Sequence, residues 1–318
     1  MTQRFQILAL DGGGIKGIFS AAVLAHLEED LGIRITDHFD LIAGTSTGGI
    51  IALGLGLGMP PREILRFYVE HGPAIFAVGL GRCCRRLLWH KFSAKPLEEA
   101  LRNCFGDRLL GESRKRLVVP AYNLGEDHVY IFKTAHHPRL NRDHRVPMWK
   151  VARATSAAPT YFPAYTGIDH VRLIDGGVWA NNPSMVAIVE AVSMLKIPLA
   201  AISVFSLGTT DEVKNRAEAL DHGGTWLWKQ AGVNVALRGQ SIGSVTMAQH
   251  LLGPNKVARL DPAVPDGLFA LDRLSESSLL GKAAHESRNF SPIFSELFAP
   301  HVADEFIRCN GRKEGCIA

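Results

Sequence analysis

Along its first two hundred residues the chain alternates short apolar runs with stretches of helical periodicity. Residues 5–10 (FQILAL) are mostly apolar and stop at Asp11-Gly12-Gly13-Gly14, which reads as a buried strand running into a turn. Residues 18–31 place Leu24, Leu27 and Leu31 on one helical face, carry Glu28, Glu29 and Asp30 near the end, and meet Gly32 as a stop. Residues 39–43 predict a second buried strand, Gly44-Thr45-Ser46-Thr47-Gly48 a sharp turn, and residues 49–57 the next helix. Two strand-loop-helix units in succession predict an α/β fold, a mostly parallel sheet covered by helices on both faces. Further strands are expected at 117–121, 129–133, 171–174 and 200–207, and further helices at 62–69, 94–104 and 184–195. From Asp211 onward the pattern mixes helices with turns. No internal repeat and no low-complexity linker divides the chain. The expected organisation is a single domain, residues 1–318, with an irregular C-terminal subregion at 209–318.

Composition narrows the class. Of 318 residues, 47% are hydrophobic and 21% charged, ordinary globular values that exclude disorder, collagen and coiled coil. The net charge of +4 is too small to point to a nucleic acid polymer. Arginine outnumbers lysine, 23 to 12, which suits phosphate or carboxylate recognition. Cys83, Cys84, Cys104, Cys309 and Cys316 form no CxxC pair and no zinc spacing. They are expected to be free thiols in a reducing compartment. The N-terminus has no signal-peptide pattern, so a cytoplasmic location is expected. Residues 41–61 carry no charge over a length close to that of a membrane span. Six glycines and the Pro60-Pro61 stop argue for a buried segment instead.

Three stretches carry chemistry. In Asp11-Gly12-Gly13-Gly14-Ile15-Lys16-Gly17, glycines between a strand and a helix let backbone N–H groups converge without side chains in the way. The helix N-terminus adds partial positive charge. Such a loop holds an anion, either a phosphate or a transition-state oxyanion. Gly12, Gly14 and Gly17 also satisfy GxGxxG, which keeps a nucleotide-binding protein as an alternative. Against it, Asp40 stands near the start of the second strand rather than its end, and Lys16 precedes Gly17, so the P-loop pattern fails. Gly44-Thr45-Ser46-Thr47-Gly48 is a GxSxG between strand and helix, the setting of a nucleophile elbow. Asp175 ends an apolar run and precedes Gly176-Gly177. A carboxylate at a strand tip can take the serine proton directly if burial raises its pKa. An α/β-hydrolase triad is disfavoured, because one strand-helix unit precedes Ser46 and His222, His250, His285 and His301 sit in no recognisable setting.

In that order the three stretches resemble the patatin-like phospholipase family, whose pattern is a DGGGx(K/R)G loop, a GxSxG elbow and a DG(G/A) motif. The resemblance extends to residues 154–162 (ATSAAPTYF) and to Asn181-Asn182-Pro183. It covers roughly residues 5–208. It implies a patatin-like three-layer fold and a Ser46–Asp175 dyad without histidine. It implies an oxyanion hole drawn from Gly12, Gly13, Gly14 and Thr47, with Gly17, Gly44, Gly48, Gly176 and Gly177 as motif glycines. The activity implied is hydrolysis of acyl esters of membrane glycerophospholipids, with no metal and no cofactor. An esterase or thioesterase acting on soluble acyl substrates is the alternative within enzymes. Stand-alone bacterial members of this length resemble the membrane-degrading effectors of CBASS antiphage systems. That implies a cyclic dinucleotide activator, a homo-oligomer, and action at the inner face of the cell membrane. Residues 206–210 read SLGTT where relatives often read SLGTG, a departure confined to one loop.

Other features are weaker. Residues 81–91 join arginines to Leu87, Leu88 and Trp89, a composition that suits an anionic lipid surface or a solvated basic loop. His136, His137 and His144 lack a completing metal ligand. Trp226 and Trp228 are expected in core or lid packing, and the region from Asp211 is expected to sense the activator or cover the site.

Overall fold

A computed structural model describes residues 4–77, 90–213, 220–265 and 276–309. Strand β1 (Phe5–Leu10) leads through the glycine loop into α1 (Gly17–Leu31), and β2 (Leu41–Gly44) through the elbow into α2 (Thr47–Leu57). Then come α3 (Pro61–Ile75), α4 (Ala94–Phe105), β3 (Arg116–Asn123), β4 (His128–Lys133), α5 (Met148–Thr155), β5 (Leu173–Asp175), α6 (Gly177–Ala180) and α7 (Ser184–Ser193). Strands β6 (Ile202–Leu207) and β7 (Asp211–Val213) follow, then α8 (Thr225–Leu252), β8 (Val257–Leu260), β9 (Ala263–Pro265) and α9 (Glu276–Leu297).

The main sheet runs β4-β3-β2-β1-β6-β8, with β5 also paired to β3. β1, β2, β3, β6 and β8 pair in parallel with their neighbours, while β4 and β5 run antiparallel to β3. The expected mostly parallel α/β fold is therefore present. Side chains on successive strand residues point to opposite faces, and both faces are apolar. Leu8, Leu10, Ile42, Phe205 and Leu207 join one core with α1–α5 and α9. Phe5, Ile7, Ala9, Leu41, Val204 and Ile202 join the other with α7 and α8. This two-sided burial explains why the strands read as runs rather than as alternating patterns.

The uncharged stretch is β2, the elbow and α2, buried from Leu41 to Gly56. Among the described residues no helix is long and apolar enough to cross a membrane. The C-terminal part is more regular than its pattern predicts. It supplies α8 of 28 residues, the sheet strand β8, and α9 of 22 residues packed on α1. Phe290 and Phe294 on α9, with Phe298 just beyond its end, pack against Phe205 of β6 and Phe39 beside β2. Trp228 on α8 is 43% exposed, against the expectation of core or lid packing, because its indole N–H is taken by Leu220 C=O at 3.2 Å and its stretch of helix puts no described side chain into either core; the side chain of Trp226 lies outside the described ones. Cys104 is a free thiol, whereas Cys309 is disulfide-bonded, a departure from the expected free cysteines. The other three cysteines and the basic segment 81–89 lie outside the described residues.

Phe294 is fully buried among four aromatic rings. Phe294→Ala should cost about 3–5 kcal/mol, the usual range for emptying such a site. Urea unfolding checks it: an unchanged midpoint would mean that α9 is not part of the cooperative core.

Candidate active site

The site sits at the carboxyl ends of β1 and β2, where open parallel sheets place their ligands. β3 brings its two halves together. β2 pairs with β3 over Arg116–Val118, and β5 pairs with the same edge of β3 over Ala121–Asn123 in the opposite direction. The last residues of β2 and β5 thus approach each other end to end. Ser46 follows one and Asp175 closes the other.

Ser46 has φ 55° and ψ −120°, a left-handed conformation that strains a residue bearing a Cβ. The turn is fixed from all sides. Thr45 N–H donates to Leu10 C=O at 3.1 Å, and Thr45 Oγ1 donates to Ala180 C=O at 2.6 Å. Ser46 N–H donates to Thr155 Oγ1 at 3.0 Å, and that hydroxyl donates to Pro120 C=O at 2.6 Å. A Cβ on Gly44 would strike the Gly48 carbonyl, and one on Gly48 would strike that of Leu10. Only glycine fits at either flank. Helix α2 starts at Thr47, two residues earlier than its pattern predicts, so its N-terminus lies directly behind Ser46. Thr47 Oγ1 donates to the Tyr68 hydroxyl at 2.6 Å, which anchors that first turn.

Asp175 is 5% exposed. Its carboxylate accepts hydrogen bonds from the Ser46 hydroxyl and, at 2.7 Å, from Gly177 N–H. Burial pushes its pKa up to about 6, with those two hydrogen bonds opposing. Ser46 and Gly177 are the groups that tune it, and no histidine is among them. A Cβ on Gly176 would enter the Pro120 carbonyl, so glycine is required where the chain leaves β5 and turns away from β3. The chemistry available is transfer of the Ser46 proton straight to a carboxylate poised near neutrality.

The glycine loop faces this pair. Gly12 lies against Ser46, where a Cβ would come 3.2 Å from the serine Cβ. Its N–H is bonded to Asn181 C=O at 3.0 Å, so Gly12 is not available as an oxyanion donor, contrary to expectation. The N–H groups of Gly13, Gly14 and Thr47 have no hydrogen-bond partner among the described residues. Gly14 has φ 60°, and a Cβ on Gly13 or Gly17 would collide with Thr209 or Thr47. Lys16 is buried with its Nζ on Thr210 C=O at 3.0 Å, which commits it to the fold.

A buried polar network supports the loop. Arg259 on β8 donates to both carboxylate oxygens of Asp11, at 2.9 and 2.6 Å, and also to Ser206 and Asp261. Asn182 Nδ2 donates to Asp11 at 2.8 Å and to Ser206 at 2.9 Å. Burial opposes the charge on Arg259, but Asp11 and Asp261 hold it firmly protonated. From α8, Gln240 accepts from the N–H groups of Asn181 and Asn182, and Ser244 donates to Asn182. Sequence reasoning did not assign Thr155, Asn182 or Arg259 a role. Residues 154–162 hold Thr155 and Asn181-Asn182-Pro183 holds Asn182, so two of the three lie in stretches the resemblance marks, whereas Arg259 lies in none. Thr210, in the loop where relatives often carry glycine, has φ 82°. His136 has a structural place, bonded to Thr134 and Glu190.

The mostly parallel sheet with a strand-turn-helix elbow at its carboxyl edge defines an α/β protein, and comparison with known proteins places it further. The patatin-like phospholipase family profile matches residues 8–188. A Pseudomonas aeruginosa (strain BWHPSA011 / Pa011) protein named cGAMP-activated phospholipase is 35% identical over 325 residues, covering 96% of this chain and 95% of its own. An Escherichia coli (strain TW11681) protein of the same name is 35% identical, covering 66% of this chain and 63% of its own. Patatin-like protein 3 of Arabidopsis thaliana is 33% identical, covering 61% and 53%. The chain thus spans less than two thirds of the latter two. The crystal structure of VipD from Legionella pneumophila shares the fold, with a TM-score of 0.50 at 12% identity over 92% of this chain and 67% of that one. The chain belongs to the patatin-like phospholipase family and is a lipid acyl hydrolase.

Two outcomes test the scaffold. Arg259→Leu leaves the Asp11 carboxylate buried and unpaired, and should destabilise by about 3–5 kcal/mol. Adding Asp11→Asn should restore part of that loss, and additive losses would show that the two are not coupled. Thr210→Gly should stabilise by about 1 kcal/mol through relief of a left-handed residue, read as a raised thermal midpoint.

Proposed function

We propose that Ser46 and Asp175 form a catalytic dyad that hydrolyses acyl esters of membrane glycerophospholipids, and that a cyclic dinucleotide switches the enzyme on. The observation that carries the dyad is the Ser46 hydroxyl hydrogen-bonded to a buried carboxylate whose pKa is raised to about 6. In the first step Ser46 Oγ attacks the ester carbonyl and its proton passes to Asp175. Negative charge gathers on the carbonyl oxygen, where the N–H groups of Gly13 and Gly14, with Thr47 at the N-terminus of α2, stabilise it. Collapse expels the lysophospholipid alkoxide, which takes the proton from Asp175. Water then gives its proton to Asp175 and attacks the acyl-serine. The second collapse returns the proton to Ser46 and releases the fatty acid.

Support for the activator comes from relatives. The Pseudomonas protein is named for activation by cGAMP, and its similarity runs through the C-terminal part as well as the catalytic motifs. A cytoplasmic enzyme working at the inner face of the membrane fits that reading, since an enzyme that degrades its own cell's lipids needs a switch. A ligand raises activity only by binding the active arrangement better than the resting one. Assembly into a homo-oligomer is one such arrangement.

Ser46→Ala should abolish release of fatty acid from phospholipid vesicles, and Asp175→Asn should lower it about 10²–10⁴-fold. Wild-type turnover in Asp175→Asn would overturn the dyad. With a base raised to about 6, the protonated and inactive form dominates below that pH. The rate should therefore climb through pH 6 to a plateau and fall again on acidification. A rate flat from pH 5 to 8 would remove Asp175 as the base. Vesicle hydrolysis should be low alone and strongly stimulated by one member of a cyclic dinucleotide panel. High basal activity that no member changes would overturn the switch and leave the dyad in place.

A further inference from the structure

Asn181 and Asn182 leave α6 together. Asn182 is used by the network beneath the glycine loop, where its amide donates to Asp11 and Ser206. Asn181 is held at three of its four polar groups. Its N–H donates to Gln240 Oε1 at 2.8 Å, its C=O accepts from Gly12 N–H at 3.0 Å, and its Nδ2 donates to Ser241 Oγ at 3.1 Å. The fourth group, the amide oxygen Oδ1, has no hydrogen-bond partner among the described residues. The residue is half-buried. An unengaged acceptor is thus fixed at a defined place, as a reacting group must be.

That place is beside the dyad. A Cβ built on Gly12 would lie 2.5 Å from Asn181 Oδ1 and 3.2 Å from Ser46 Cβ. A Cβ built on Gly177 would lie 3.1 Å from Asp175 Oδ1 and 3.2 Å from Asn181 Oδ1. The Asn181 oxygen therefore borders both the serine and its base, and two acceptor oxygens converge on the space beside Gly177. Its neighbours cannot serve in the same way. The N–H groups of Gly13, Gly14 and Thr47 can only donate, and Thr155 Oγ1 is already bonded to Ser46 N–H and Pro120 C=O.

Deacylation calls for such a pair. Water attacks through a lone pair while one of its protons goes to the base. A water held by Asp175 alone turns freely about that hydrogen bond. A second acceptor takes the other O–H and leaves the lone pairs facing the acyl carbon. Acylation makes no such demand, because Ser46 Oγ is fixed by its own backbone.

We infer that Asn181 is a further catalytic residue, whose Oδ1 orients the water that hydrolyses the acyl-serine. The inference rests on the Ser46–Asp175 reading and adds a group specific to its second half. The water oxygen bonds to the acyl carbon as one proton passes to Asp175, and the other stays hydrogen-bonded to Asn181 Oδ1. Collapse breaks the bond to Ser46 Oγ, which takes the proton back from Asp175. The second proton leaves on the fatty acid.

Hydrolysis of p-nitrophenyl butyrate, with and without cGAMP, is the test. Its good leaving group makes acylation fast, so kcat reports deacylation and kcat/KM reports acylation. Asn181→Leu has nearly the same shape and no acceptor. It should lower kcat about 10-fold or more, lower KM in parallel, and keep kcat/KM within about 3-fold. A burst of p-nitrophenol and an acyl adduct on Ser46 in the intact mass should accompany the split. Asn181→Ala is run beside it and should show the same split, so that a folding defect in one variant does not decide the outcome. Asn181→Asp keeps an acceptor oxygen and should retain kcat within about 3-fold at the top of its own pH profile. A fall of kcat/KM together with kcat in the Leu and Ala variants would overturn the inference and make Asn181 a support of the glycine loop. So would an unchanged kcat. An Asn181→Asp variant as slow as Asn181→Leu would also overturn it, since the amide N–H rather than the oxygen would then be the group that matters. A burst that persists in Ser46→Ala would strike the dyad reading itself, whatever the Asn181 variants do.

Discussion

The edge of β3 is the constraint on which the site depends. Its first three residues hold β2 and its last three hold β5, running the other way. Two strand ends separated by some 130 residues of sequence are thereby aimed at each other across Val119 and Pro120, the β3 residues between the two pairings; the Pro120 carbonyl is the one they share. The Pro120 carbonyl accepts from Thr155, which in turn holds the Ser46 N–H, and it leaves no room for a side chain at position 176. A shift of one residue in either pairing would turn the side chains to the other face of the sheet and part the serine from the aspartate. The chemistry is thus a consequence of register, and register is set by the buried apolar runs on both faces.

That precision is maintained against opposing terms. Ser46 is held in a left-handed conformation, and Asp175 is buried where its charged form is disfavoured. A carboxyl group with a raised folded-state pKa binds its proton more tightly folded than unfolded. Its ionisation therefore removes stability as pH rises from the ordinary carboxylate range toward 6. The same burial that raises the Asp175 pKa makes the neutral-pH fold less stable than it would be with an amide there. Compensation comes from the glycines that let the turns close, and from the fully bonded Asp11–Arg259–Asn182 network beneath the loop. Buried charges are tolerated when every partner is present.

Much of this was legible in the chain. The strand-loop-helix alternation gave the parallel α/β sheet, and the glycine loop, GxSxG and Asp175-Gly176-Gly177 stood out because turns that tight admit few residue types. What stayed hidden is what depends on long-range contact. Gly12 looked like its neighbours in sequence, but Asn181 takes its N–H. Arg259 sits in a short strand flanked by Pro254 and Pro262 and has no local pattern that distinguishes it from a surface arginine. Helix α8 is obscured because its apolar and polar residues alternate without a helical period, so no apolar stripe stands out against a polar one. Thr210 was seen as a departure from relatives, and only its backbone angle gives that departure a physical meaning.

The hidden parts share a location. Arg259 and α8 both come from the last third of the chain, outside the catalytic motifs, yet both contact them. Arg259 fixes Asp11 at the root of the glycine loop, and Gln240 and Ser244 fix Asn181 and Asn182, which reach back to Gly12 and Asp11. The loop that would hold the oxyanion is therefore clamped from two sides by C-terminal elements. A conformational change in α8 or β8 has a direct hydrogen-bonded route to the donors, with no need for a long chain of couplings. An effector with differential affinity for two positions of those elements would change the alignment of Gly13 and Gly14 relative to Ser46, and oxyanion geometry is the term to which turnover is most sensitive. An effector of that kind would act on the glycine loop, since Ser46 and Asp175 are tied to β3 through Thr155, Pro120 and the β3–β5 pairing.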